Sequence, residues 1–488
     1  MKLEQLMEGV PFTLVQGSLD TEIADIIYDS RKAAPGLLFV CIVGTQRDSH
    51  AFAADCAAKG ISALVIQHDI DLSTLPGVTV VKVESSRYAM ALMSANLFGN
   101  PARQMTMIGV TGTNGKTSVT LLLKQVLEKT LGAKVGLIGT VENCIGDEIL
   151  PTERTTPESF ELQGLFRQML DAGCTHVVME VSSHSIALDR VGGIHFQAAA
   201  FTNLTEDHLD FHHTMEAYCD TKAELFARCD QAVLNRDDPW FDRMKAKAAC
   251  PILTTSWHPG AELYAEDVSL RADGVSFTAV LGEERAKVSL PIPGSFAVSN
   301  GLTVLGLAAV LGIPLAKAAS ALSEAKGVKG RLEVVPTPGK PYTVLIDYAH
   351  TPDGLENVLS SVKGYCKGRL IAVFGCGGDR DPLKRPIMGA IGAKYADVCI
   401  VTSDNPRTED PEAIIKQILA GMPENSYIAI ENRPKAIGYA LDIAKKNDII
   451  VLAGKGHETY QEINGVKRHM DEREIVADHL AERLKSNG

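Results

Sequence analysis

The sequence predicts an α/β protein of three domains, on three observations. Short apolar runs recur along the chain, each followed by a stretch with helical spacing, and strands alternating with helices imply parallel sheets. Polar or glycine-rich segments follow several of those runs, where an open parallel sheet collects its ligands. The 488 residues also exceed what one core supports. The expected division is an N-terminal α/β domain over residues 1–100, a central domain with a P-loop-type parallel sheet over 101–330, and a Rossmann-like domain over 331–488.

Composition narrows the function classes. A hydrophobic content of 45% and a charged content of 22% are ordinary for a soluble globular chain. The net charge of −12 leaves no basic field to hold nucleic acid. The 10 cysteines are scattered without a C-x-x-C pair, so neither a zinc site nor a disulfide framework is indicated, which fits a reducing cytoplasm. Met1–Gln5 carries no apolar signal region and no run reaches transmembrane length. A cytoplasmic monomer with small-molecule substrates, and with no nucleic-acid or membrane partner, is the expectation.

In the first domain, Leu37–Ile42 and Ala63–Ile66 read as strands. Asp29-Ser30-Arg31 and the segment from Gly44 to His50 are polar, and on chemistry alone they read as solvated turns. Asn100-Pro101 marks the boundary.

The central domain opens on the apolar strand Met105–Val110, followed by Thr111-Gly112-Thr113-Asn114-Gly115-Lys116-Thr117. Val119, Leu122, Leu123, Val126 and Leu127 then follow at helical spacing. A small-residue turn joining a strand to a helix N-terminus presents unpaired N–H groups and a favourable dipole, a phosphate cradle. Lys116 can reach terminal phosphates and the Thr117 hydroxyl can hold Mg²⁺. Strict P-loop spacing asks for glycine where Val110 stands, and the bland alternative is a glycine-rich turn with a solvated lysine. Further strands are expected at Val135–Val141, His176–Val181, Phe196–Thr202 and Ala232–Asn235. Two of them run into Glu180-Val181-Ser182-Ser183-His184 and into Asn203 through His208 to Asp210. Hard oxygen donors beside an imidazole suit Mg²⁺ better than zinc, although Glu180 would serve equally as a structural acceptor. Thr155-Thr156-Pro157 reads as the cap of a helix beginning at Pro157, and Lys222 by default as a helix-surface lysine.

The last domain offers strands Val344–Asp347, Leu370–Phe374, Val398–Thr402, Tyr427–Ile430 and Ile449–Leu452. Four polar clusters follow them: Asp347-Tyr348-Ala349-His350, Gly375 to Asp381 with Arg380, Asp404-Asn405-Pro406-Arg407, and Gly454-Lys455-Gly456-His457-Glu458. Together they read as one binding face. On the bland reading Arg407 pairs with Glu409 or Asp410 at the surface. Arg473–Leu484 reads as an amphipathic closing helix.

These motifs, with Gly294-Ser295-Phe296 and Asn300 and with Gly330-Arg331-Leu332-Glu333, fall in one order along essentially the whole chain, and in that order they resemble the Mur ligases, ATP-dependent amide-forming enzymes of bacterial cell-wall synthesis. The family's phosphate loop shares the departure at Val110. The resemblance implies that ATP phosphorylates a carboxylate of a UDP-linked muramoyl peptide and that an amine then attacks the acyl phosphate. It implies nucleotide contacts from Gly112, Thr113, Asn114, Gly115, Lys116, Thr117, Asn300, Arg331, Asp347 and His350. It makes Lys116, Lys222 and His208 catalytic, with two Mg²⁺ ions, one held by Thr117 and Glu180 and the other held in part by His208, and with Lys222, carbamylated by CO₂, as a further Mg²⁺ ligand. Ser30, His50, Thr155, Thr156, Ser182, His184 and Arg190 resemble contacts to the substrate UDP-N-acetylmuramoyl-L-alanyl-D-glutamate. That reverses the solvated-turn reading of the N-terminal loops, which resemble the uridine-binding loops of the subgroup adding the third peptide residue.

That subgroup adds either meso-diaminopimelate or lysine. The far end of diaminopimelate carries a carboxylate that a guanidinium meets bidentately. Asp404, Asn405, Pro406 and Arg407 form the family signature of diaminopimelate adders, Arg380 offers a second guanidinium, and Gly454 and Glu458 can receive the ammonium. Two rivals remain at this point: a folylpolyglutamate synthase of related fold, and a P-loop ATPase acting as a motor or binding module. Because the phosphate loop and Arg407 are assigned to different domains, the reaction also calls for domain closure.

Overall fold

The computed structural model describes residues 1–44, 47–152 and 154–486, and of residues 484–486 the backbone alone. The chain forms two compact units, Met1–Thr255 with Thr303–Pro314, and Ser256–Leu302 with Leu315–Gly488.

The first unit holds two sheets. The N-terminal sheet comprises β1 (Thr13–Gln16), β2 (Asp25–Ile27), β3 (Leu37–Val40), β4 (Ala63–Ile66) and β5 (Thr79–Lys82), in the order β1-β5-β4-β3-β2, parallel except for β1. Its strands are apolar on both faces because both are covered. Leu38, Val40 and Val65 pack with Leu3, Leu6 and Met90, while Phe39, Leu64 and Ile66 pack with Cys56, Ile61 and Leu75.

The second sheet is built on β6 (Thr106–Thr111), β7 (Val135–Ile138), β8 (Asn143–Ile145), β9 (Glu148–Leu150), β10 (His176–Glu180), β11 (Ala198–Phe201), β12 (Ala232–Asn235) and β13 (Ile252–Ser256). Within this unit the order is β13-β12-β11-β6-β10-β7-β8-β9, parallel apart from the edge hairpin β8–β9. β6 lies between β10 and β11, so the chain leaving β6 enters a crevice where strand order reverses. Val110 explains the non-standard loop spacing. It is still inside β6, fully buried and in register with Glu180 and Ala200, so the position is a core position and the turn begins after it.

In the second unit, β14 (Leu263–Arg271), β15 (Gly274–Leu281) and β16 (Glu284–Leu290) form an antiparallel meander that the reading of the sequence left without strands. A six-stranded sheet follows, made of β17 (Glu333–Val335), β18 (Thr343–Asp347), β19 (Leu370–Phe374), β20 (Val398–Val401), β21 (Ile428–Ala429) and β22 (Ile449–Ala453). Its order is β17-β18-β22-β19-β20-β21, with only β17 antiparallel. The strand expected at Tyr427–Ile430 is only two residues long. A hairpin of β23 (Tyr460–Ile463) and β24 (Val466–His469) precedes the closing helix Glu472–Ser486. Buried side chains alternate between the faces: Leu345, Ala372 and Val451 meet helices Pro352–Tyr365 and Pro411–Leu419, and Val344, Ile371 and Ile450 meet helix Arg433–Ile443 and Val476. Among the described residues no helix is long and apolar enough to cross a membrane.

Candidate active site

The phosphate loop sits at the carboxyl end of β6 in the first unit. Gly112 adopts φ +146°, and a Cβ there would lie 2.0 Å from Thr202 Oγ1, so only glycine fits. The loop is tied to the end of β11: Thr113 N donates to Asn203 O at 2.8 Å and Asn114 N to Asn203 Oδ1 at 2.9 Å. Gly115 precedes helix Lys116–Leu131, whose first N–H groups face the loop. Lys116 Nζ curls onto the carbonyls of Gly112 and Thr113 at 2.9 and 2.8 Å.

Lys222 is not a surface lysine. It lies on helix Met215–Ala223, is buried, and its Nζ donates to the same Gly112 carbonyl at 2.8 Å. Burial, and then the neighbouring charge of Lys116, hold its pKa well below the ordinary lysine value. A neutral amine is the form that reacts with CO₂.

Glu180 ends β10 and is also buried. The Thr140 N–H donates to Oε1 at 2.9 Å and the Thr140 hydroxyl to Oε2 at 3.0 Å. Thr117 and Glu180 line one narrow crevice together with Gly139, which sets two residues that carry hard oxygen donors beside one another. His208 has left-handed backbone (φ 54°), uncommon for a non-glycine residue, and its ring stands edge-on to His184 at 4.8 Å. His184 also packs on Phe211 at 4.3 Å, and His212 Nε2 lies 2.9 Å from Ser183 Oγ. Burial and neighbouring positive groups push His184 down and His212 down to about 4. Thr140, His212 and Tyr218, whose ring lies 4.7 Å from Lys222 Nζ, complete this cluster and were not singled out from sequence.

Of the residues expected at the muramoyl peptide, Thr155, Thr156, Ser182 and Arg190 come together. Thr156 Oγ1 donates to Glu180 O at 2.8 Å, and Arg190 bonds Thr156 O at 3.1 Å and Glu158 at 2.9 Å. The helix expected at Pro157 begins at Ser159 with Glu158 as its cap residue, because the Thr156 hydroxyl is spent on β10. Ser182 caps the short helix carrying His184. Ser30 opens a 3₁₀ turn capped by Asp29, and its carbonyl accepts from Lys59 Nζ at 2.9 Å. His50 is buried, with Nδ1 2.5 Å from Asp48 and Nε2 accepting the Gln67 N–H at 2.9 Å. His68 bridges the other Asp48 oxygen at 2.7 Å. Since His50 Nε2 is an acceptor, Nδ1 carries the proton, and the two imidazoles and Asp48 form a hydrogen-bonded relay. Thr45 and Gln46 of the Gly44–His50 segment lie outside the described residues.

The second unit brings the four polar clusters to one sheet edge, since β18, β22, β19 and β20 are adjacent and parallel and the clusters follow their carboxyl ends. Asp347 is buried and accepts N–H groups from Leu332 and Ala349 at 2.7 and 2.8 Å; burial raises its pKa against the pull of Arg331. Arg331 stacks over Tyr348 at 5.3 Å, and Tyr348 also meets the rings of His350 and His457. His350 Nδ1 donates to Tyr348 O at 2.7 Å, and burial holds its pKa down. Asn300 is buried on helix Phe296–Val310, and Arg380 is exposed beside Asp379.

Arg407 does not pair with Glu409 or Asp410. Glu409 binds Arg385, and Asp410 caps helix Pro411–Leu419. Arg407, at φ 52°, instead donates to Gly378 O at 2.7 Å and lies 3.5 Å from Glu462 on β23, which keeps its guanidinium half-buried. Asp404 Oδ1 accepts the Asn405 N–H at 2.6 Å, whereas Oδ2 is buried without a partner among the described residues. Gly454, at φ +113°, leaves room for it: a Cβ there would lie 2.6 Å from Oδ2.

Two sequence profiles match the chain, the Mur ligase middle domain over residues 110–308 and the Mur ligase glutamate ligase domain over residues 330–456. Together with full-length relatives at over 40% identity they decide its membership. The chain belongs to the Mur ligase family. This Mur ligase is 48% identical to the UDP-N-acetylmuramoyl-L-alanyl-D-glutamate–2,6-diaminopimelate ligase of Caldanaerobacter subterraneus, over 99% of this chain and 100% of the relative. It is 45% identical to the ligase of the same name from Clostridium botulinum, again over 99% and 100%. A solved structure of a ligase of that name superposes with a TM-score of 0.73 at 30% identity and covers 99% of both chains. Mur ligases of this kind have three domains, N-terminal, central ATP-binding and C-terminal.

Proposed function

We propose that this Mur ligase joins meso-diaminopimelate to UDP-N-acetylmuramoyl-L-alanyl-D-glutamate at the expense of ATP, in peptidoglycan precursor synthesis. The observation that carries the reading is that one turn after β20 carries both the Arg407 guanidinium and, among the described residues, a buried oxygen of Asp404 without a partner. A second amino-acid head presents a carboxylate and an ammonium side by side, and this face offers a partner of the right sign for each. The full-length likeness to diaminopimelate ligases supports it.

The roles are those that the family resemblance implies. By this reading residues 1–100 hold the uridine end, 101–330 the ATP and the reacting carboxylate, and 331–488 the amine. Ser30 and His50 serve the first; Thr155, Thr156, Ser182, His184 and Arg190 serve the peptide. The N–H groups of Gly115, Lys116 and Thr117 and the Lys116 ammonium receive the phosphates and offset charge as the carboxylate oxygen attacks the γ-phosphorus and ADP departs. Mg²⁺, whose hard-oxygen preference fits Thr117 and Glu180, would also draw on His208 and a carbamylated Lys222 and would supply positive charge to the transferring phosphoryl group. Asn300, Arg331, Asp347 and His350 orient the nucleotide, and His350 presents Nε2, since Nδ1 is engaged by Tyr348. Arg380, Asn405, Pro406, Gly454 and Glu458 frame the amine, which attacks the acyl carbon, loses a proton and expels phosphate. ATP and nucleotide-linked precursors place the reaction in the cytoplasm. The site as assigned calls for no residue of a second copy, so the chain is read as a monomer.

The deciding assay is phosphate release by purified protein with ATP and the UDP-muramoyl dipeptide, with diaminopimelate and lysine supplied separately. Turnover with diaminopimelate and little with lysine is expected. Equal or better use of lysine overturns the choice of amine, and ATP hydrolysis that needs no amine overturns the ligase reading.

A further inference from the structure

Lys455 follows Gly454 at the carboxyl end of β22 and is completely buried. Its Nζ donates to Asn405 Oδ1 at 2.7 Å and to Glu458 Oε2 at 2.6 Å, and it lies 5.1 Å from the centre of the Tyr460 ring. Asn405 Oδ1 also accepts the Glu462 N–H at 2.9 Å. With two donors aimed at it, that atom must be the oxygen, so the amide nitrogen is turned to Glu458, where it donates to Oε2 at 3.0 Å. One oxygen of Glu458 is therefore saturated from two sides. The other, Oε1, takes no bond from the protein among the described residues.

Stability alone gives little reason for this arrangement. A buried ion pair is commonly no better than an apolar pair of the same volume. What the ammonium does here is directional: it ties the Asp404–Arg407 turn to the Gly454–Glu458 turn through a single donor.

We propose that Lys455 is a positioning residue for the incoming amine. It commits only the Oε2 oxygen of Glu458, leaving Oε1 for a substrate ammonium. The proposal rests on the reading of this face as the amine site; Lys455 itself touches no substrate.

Lys455→Met keeps the stem and removes the donor. The KM for diaminopimelate is expected to rise by about tenfold or more, with kcat at saturating amine and the KM values for ATP and the UDP-muramoyl dipeptide little changed. In a Glu458→Gln background the same substitution is expected to add less than about twofold, because the route through Glu458 is already cut. A uniform loss across all three substrates, no change in the diaminopimelate KM, or equal effects in both backgrounds would each overturn the proposal. Should Lys455→Met alone fail to fold, the comparison of Glu458→Gln with the charge-balanced Glu458→Gln/Lys455→Met carries the test: similar KM values support the proposal, and a further rise of about tenfold overturns it. If the wild type turns over lysine in place of diaminopimelate, the choice of amine has failed independently, and the same comparison is made on the lysine KM.

Discussion

Lys222 Nζ donates to the carbonyl oxygen of Gly112 at 2.8 Å across 110 residues of sequence, joining an amine with a depressed pKa to the floor of the phosphate loop. The same carbonyl accepts from Lys116. Two lysines converging on one oxygen raise the cost of protonating the more buried one, and that is Lys222.

The first prediction follows from that pairing. A neutral amine captures CO₂ to give a carbamate and a proton, so activity is expected to fall in CO₂-depleted buffer and to return with bicarbonate. Lys222→Arg remains a cation, and it should lose about a thousandfold in kcat with no response to bicarbonate. The linkage has a definite sign. Between the lowered folded pKa and the ordinary value of 10.5 the unfolded chain binds more protons, so stability without CO₂ rises with pH, by up to about 1.4 kcal/mol per unit. Lys222→Met should remove that slope. Denaturant melts at pH 7 and 9 test it, and parallel pH dependences for the two proteins would contradict it.

Arg407→Lys separates charge from shape. A point charge cannot reproduce the fork that bonds Gly378 and still meets a carboxylate. The expected loss is about 2 kcal/mol, roughly 30-fold in kcat/KM for diaminopimelate, with ATP affinity unchanged. Near-normal steady-state kinetics would remove Arg407 from the amine site.

Arg433 and Glu472 offer a stability test away from the chemistry. They pair at 2.8 Å and are both buried, and Arg433 also donates to Ala453 O at the end of β22. Arg433→Met should cost about 3–5 kcal/mol because Glu472 is left charged and unpaired. Arg433→Met/Glu472→Leu should recover most of that, read as denaturant midpoints. A double variant as weak as the single one would show that the charge imbalance is not the cause.

What the sequence reveals depends on how local the determinant is. The phosphate loop is legible because strand, turn and helix N-terminus are contiguous, and the parallel strands because burial on both faces writes an unbroken apolar run. Val110 looked out of place only until its register with Glu180 and Ala200 put it inside β6. The β14–β16 meander was missed although Asp273-Gly274 and Gly282-Glu283 are turn signals; the flanking strands β14 and β16 are largely exposed, so their pattern is faint. Lys222 and Lys455 carry no mark of burial in their neighbours along the chain. Their environments come from segments far away in sequence, from Gly112 for one and Asn405 for the other. The β23 hairpin, which supplies Glu462 to Arg407, was likewise hidden in a polar stretch.

The first unit is discontinuous, taking Thr303–Pro314 after Ser256–Leu302 has gone to the second. Gly306 in the returning segment sits against Val233, Leu253 and Thr255, and its neighbours Val304, Leu305 and Leu307 are fully buried. As the chain emerges from the ribosome, the apolar flank around Val233 and Leu253 is therefore made well before the segment that covers it. The meander is made during that wait, so the two units are synthesised in overlapping order, and that flank stays uncovered until residue 314 has emerged.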